Sequence, residues 1–105
     1  MRQGFFSEHW AAMGIVTGGV STGRGFTISW QNGALGRGND RHEPNGAFVE
    51  DVIAAALDRL NAYQDSKFRC DTNDTAIRHL TSALEALDSR TKERETRQVE
   101  GTYQL

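Results

Sequence analysis

A chain of 105 residues with a net charge of −2 fits one small domain and argues against a broad basic surface for nucleic acid, so any anion site has to be local. At 37% hydrophobic residues it is thin in core material, and for so small a domain oligomerisation is the natural remedy. The lone cysteine, Cys70, excludes an internal disulfide and reads as a packed core thiol in a reducing cytoplasm.

No apolar run approaches the ~20 residues of a membrane span. The first ten residues are interrupted by Glu8 and His9 and make a poor signal peptide. Residues 4–15 read as a short amphipathic helix or an ordered arm, with Phe5, Phe6, Trp10 and Met13 available for docking. Thr17 to Gly25 reads as a glycine-rich loop, so residues 1–23 are an N-terminal arm and loop preceding a single domain over 24–105. Phe26-Thr27-Ile28-Ser29-Trp30-Gln31 alternates apolar and polar residues and predicts a strand burying Phe26, Ile28 and Trp30. Asn32-Gly33 is a preferred hairpin pair, with Ala34-Leu35 as the return, completing a strand element over 24–38. Gly36 to Pro44 is a polar, turn-rich loop.

A first helix is expected from Asn45 or Gly46 to near Gln64, with Phe48, Val49, Val52, Ile53, Ala56, Leu57, Leu60 and Tyr63 at helical spacing. Residues 65–70 connect it to a second helix capped by Asp71, Thr72 or Asn73, with Phe68 turned inward. Ile77, Leu80, Leu84 and Leu87 form its apolar stripe, Asp74 pairs with Arg78, and the helix runs through the arginines to about Arg97. The fold class is therefore α+β: a short β-hairpin or strand element followed by an antiparallel helical hairpin over 45–98.

Chemistry narrows more slowly than fold. His9, His42, His79 and Cys70 lack metal-ligand spacing, and no nucleophile motif is present. Gly23-Arg24-Gly25 and Gly36-Arg37-Gly38 lack the ending of a phosphate loop and read as flexible turns. Arg90, Arg94 and Arg97 would stack on one helix face beside the apolar stripe, and their planar guanidiniums suit phosphate. Glu93 and Glu95 make a neutralised, solvated helix end the competing reading, and composition alone leaves both open. Tyr63 and Asn73 fall near the hairpin turn, where an aromatic face can stack a purine and an amide can pair with base or ribose edges. A core aromatic and a helix cap is the alternative there.

Phe26 to Gly33, Asn45-Gly46 through Tyr63-Gln64, the connector Phe68-Arg69-Cys70-Asp71-Thr72-Asn73 and the ending Arg90-Thr91…Arg94…Arg97-Gln98-Val99-Glu100-Gly101-Thr102 resemble one family across residues 24–105. It is the family of phage sponge proteins that counter Thoeris and CBASS defence and share a helical-hairpin domain. The resemblance implies binding without turnover, with no catalytic residues and no cofactor. The implied ligands are host cyclic nucleotide signals: cyclic ADP-ribose isomers and, in some members, cyclic di- and trinucleotides. It also implies a homo-oligomer, dimer or hexamer, with ligands between subunits, acting in the cytoplasm of the infected bacterial host with no membrane, DNA or RNA partner. By motif position, Tyr63 supplies stacking, Asn73 polar contacts and Arg90 a phosphate contact. Arg94, Arg97, Glu100, Gly101 and Thr102 would form a second, inter-subunit anion site. Two departures stand out: Gln98 where glycine is expected, and Tyr103 where histidine is expected. A nucleotide-degrading enzyme lacks candidate groups here, whereas a structural or regulatory hairpin protein without nucleotide binding is the alternative function.

Overall fold

The computed structural model describes residues 4–105; of the expected N-terminal arm, residues 1–3 lie outside the described residues. The protein is α+β: three strands, β1 (Phe6–Ala12), β2 (Ile15–Gly23) and β3 (Phe26–Trp30), precede two helices, α1 (Val49–Gln64) and α2 (Asp71–Thr96). Two compact units result, one built from residues up to Phe48 together with Arg97–Leu105, the other from Val49–Thr96.

The first unit is an antiparallel meander in the order β1-β2-β3. This corrects the expected helix or arm at 4–15 and the expected loop at 17–25: β1 takes up most of the first and β2 most of the second. Ile15, Val16, Thr17, Val20 and Thr22 favour extended backbone. The glycines among them serve close approach rather than flexibility. A Cβ at Gly19 would collide with the Glu8 carbonyl oxygen on β1, and one at Gly18 would press on the Trp10 ring and the Asn32 side chain. The register shifts between Trp10 and Ala11, and Thr17 Oγ1 donates to the Trp10 carbonyl at 3.2 Å there. Met13-Gly14 closes the β1–β2 turn with both residues at positive φ, as a type I′ hairpin requires.

The predicted strand at β3 forms, with Ile28 and Trp30 half-buried, but Phe26 is 44% exposed. Trp30 Nε1 donates to the buried Ser21 hydroxyl at 2.9 Å. Asn32-Gly33 does not turn the chain into a paired return strand. The Asn32 N–H donates to Asn45 Oδ1 at 2.8 Å, and Asn45 Nδ2 returns a bond to the Asn32 carbonyl at 3.0 Å. Ala47 then bonds both Ser29 and Gln31. These contacts hold 45–47 against β3, which is why α1 starts at Val49 instead of Asn45 or Gly46. Leu35 is the one buried apolar side chain among the described residues.

The second unit is the helical hairpin, and α1 ends at Gln64 as its periodicity predicts. The expected inward Phe68 is 65% exposed, and Cys70 is an exposed free thiol rather than a core one. Asp74 does not pair with Arg78: its Oδ1 accepts from Gln64 Nε2 at 2.7 Å, while Arg78 reaches the Thr75 hydroxyl.

Candidate functional site

The hairpin turn is built around one glutamine. Gln64, the last residue of α1, accepts at Oε1 from the Cys70 N–H (3.1 Å) and from Asn73 Nδ2 (3.0 Å). Its Nε2 donates to the Cys70 carbonyl (3.0 Å) and to Asp74 Oδ1 (2.7 Å). This cross-link fixes the end of α1 to the first turn of α2. The connector closes with Ser66 bonding Tyr63 and Phe68 through its hydroxyl.

Around this turn the structure brings Tyr63 and Asn73 together. Phe68 lies between them: its ring meets Tyr63 edge-on at 6.4 Å, and its carbonyl oxygen accepts from Asn73 Nδ2 at 3.3 Å. Tyr63 is 40% exposed and Asn73 half-buried. The Arg59 guanidinium lies 5.9 Å from the Tyr63 ring centroid, so a cation sits beside the exposed aromatic. Stacking surface, amide and positive charge therefore occupy one end of the hairpin.

Arg90 is not at that end. At about 1.5 Å per residue, it stands about 25 Å from Asn73 along α2. It is exposed, and its guanidinium has no hydrogen bond or ion pair among the described residues. Arg94, one turn further, is only 8% exposed. α2 ends at Thr96, beside the expected end at about Arg97, and Gln98 takes φ +62°, which turns the chain out of the helix. Here the residue that departs from glycine occupies the left-handed conformation glycine favours.

The ending Arg97–Leu105 docks on the loop at 36–41 within the first unit. Glu100 takes the Arg41 guanidinium in two contacts, 2.6 and 3.1 Å, with Arg37 Nη1 at 3.8 Å from the same carboxylate. Arg37 also donates to the Glu100 carbonyl at 2.8 Å, and the Gly36 N–H donates to the Gly101 carbonyl at 2.6 Å. A Cβ on Gly101 would collide with the Gly36 carbonyl oxygen, so this turn requires glycine. Arg97 Nη2 donates to the Leu105 carbonyl at 2.7 Å, and the Thr102 hydroxyl turns back to the Val99 carbonyl. The 36–41 segment, read from sequence as a flexible turn, is thus a cationic platform for Glu100. The i, i+4 repeat of Arg37 and Arg41 was the available signal. Gln64 was also missed; a glutamine closing one helix just before the next helix's cap was its only mark.

Residues 27–92 match the profile of the Acb2/Tad1 hairpin domain. The chain belongs to the Acb2/Tad1 hairpin-domain family. It is 42% identical over 78 residues to Thoeris anti-defense 1 of Bacillus phage SBSphiJ7, an alignment covering 74% of this chain and 52% of the relative. The chain thus spans about half the length of the curated relative it matches. The profile match contains Tyr63, Asn73 and Arg90, and stops before Arg94 and the turn at 97–102. Among the described residues, no helix is long and apolar enough to cross a membrane, and no group of His, Cys, Asp or Glu is arranged to hold a metal ion.

Proposed function

We propose that this chain is a phage anti-defence protein of the anti-Thoeris kind that captures a host cyclic nucleotide signal and holds it without degrading it. The observation that carries this reading is the turn itself: exposed Tyr63 beside half-buried Asn73, inside the segment matched by the family profile. Tyr63 stacks the base, Asn73 meets polar base or ribose atoms, and Arg90 contacts phosphate. Because Arg90 lies about 25 Å along α2 from Asn73, one copy cannot bring both to a small ligand. The ligand therefore sits between copies of a homo-oligomer, in the cytoplasm of the infected cell. Cyclic ADP-ribose isomers and cyclic di- and trinucleotides, the latter extending the reading to CBASS signals, all offer a purine and phosphates.

Arg97, Glu100, Gly101 and Thr102 are proposed for a second anion site, with Glu100 as the internal counter-ion that arranges Arg37 and Arg41. Arg94 is proposed as a further ligand contact.

Titration calorimetry with cyclic ADP-ribose and with a cyclic triadenylate tests capture. Arg90→Ala is expected to lower affinity at least tenfold while circular dichroism stays unchanged. Unaltered titrations would count against the assignment. Ligand recovered intact after heat-denaturing the complex supports capture; a cleaved product would make the protein an enzyme.

A further inference from the structure

The hydrogen bonds at the hairpin turn decide which atom Asn73 can offer a ligand. The Cys70 backbone N–H can only donate, so the Gln64 atom facing it is the carbonyl oxygen Oε1. That leaves Nε2 to donate to the Cys70 carbonyl and the Asp74 carboxylate, both of which only accept. All four hydrogen-bonding positions of the Gln64 amide are then used, and its orientation is fixed by its partners. The Asn73 atom that meets Gln64 Oε1 and the Phe68 carbonyl, two acceptors, must be the donor Nδ2. Both Nδ2 hydrogens are consumed inside the turn. Oδ1 is the one polar atom of the Asn73 side chain with no partner among the described residues.

We propose that Gln64 is a positioning residue that turns Asn73 so that only a hydrogen-bond acceptor is presented, and that the ligand group bound there is a donor: a ribose hydroxyl or the exocyclic amine of adenine. The proposal rests on the capture reading above and adds the polarity of one contact and the residue that sets it. An inosine or deoxyribose in place of the donor leaves Oδ1 facing an acceptor or nothing, which costs an unmet hydrogen bond. Gln64 does not touch the ligand in this scheme, so its effect has to pass through Asn73.

The experiment measures affinities of 3′,3′-cyclic di-AMP and cyclic ADP-ribose, each beside its inosine and its 2′-deoxy counterpart, for wild type and Gln64→Ala. Wild type is expected to prefer a parent over one of its two counterparts by about fivefold or more, and the identity of that counterpart tells amine from hydroxyl. In Gln64→Ala the preference collapses towards one, because Asn73 is then free to rotate. Equal binding of all analogues by wild type overturns the proposal, as does an undiminished preference in a folded Gln64→Ala. Side-chain amide exchange by NMR on the ligand-free wild type reads the orientation separately. Slowed exchange of both Asn73 Nδ2 protons is expected, and exchange at the rate of an exposed asparagine overturns it. Failure of every probe to bind sinks the capture reading, while the NMR result still reports on Asn73.

Discussion

Gln98 occupies a backbone region that side chains resist, at φ +62° immediately after α2. Left-handed backbone costs a non-glycine residue about 1–2 kcal/mol, partly offset in any glycine variant by the extra freedom of its unfolded chain. Gln98→Gly is therefore expected to stabilise the protein by about 0.5–1 kcal/mol, seen as a thermal midpoint a few degrees higher. A lowered midpoint would show that the Gln98 side chain contributes contacts worth more than the strain. Two residues on, Glu100 is charge-assisted from two sides, yet Arg37 and Arg41 are each about 40% exposed. Solvent screening keeps that pair modest, so Glu100→Gln is expected to cost about 1 kcal/mol in dilute buffer and clearly less in 1 M salt. A cost that does not change with salt would mean that geometry, not charge, holds the turn.

The elements that were legible are those whose signal is periodic. The apolar spacing of α1 and α2 and the alternation of β3 are statements about one face of one element, and the structure forms all three elements, although Phe26 stays exposed. β1 and β2 were not legible because their determinants are pairwise. Gly18 and Gly19 mark a loop when read alone, and a close strand crossing only when Glu8 and Trp10 are known to lie opposite. The same applies to the site. Tyr63 and Asn73 could be placed at the turn from helix ends, whereas Gln64 shows its role only through four partners on the far side of the connector. The glycine argument is testable at this scale. Gly19→Ala drives a methyl into the Glu8 carbonyl and should destabilise the sheet by about 2 kcal/mol or more in chemical denaturation. Wild-type stability in that variant would mean that β1 can move away without cost.

At the scale of the whole molecule, one copy buries Leu35 alone among the apolar side chains described, and leaves Phe6, Val16, Val49 and Phe68 at least half exposed. So thin a core rarely stabilises a domain of this size, and a homo-oligomer is therefore the expected state of the protein. Light scattering is expected to give a multiple of 11.6 kDa, with a thermal midpoint that rises with protein concentration. A monomer with a concentration-independent midpoint would refute this. The separation of Asn73 from Arg90 along α2 turns the same point into a functional prediction. Asn73→Ala and Arg90→Ala oligomers should each capture ligand poorly, but each retains the half that the other lacks. If the site takes Asn73 from one copy and Arg90 from another, refolding the two variants together at equal amounts regenerates about a quarter of wild-type sites. If both residues act from one chain, every chain in the mixture is defective and the mixture binds no better than its parents.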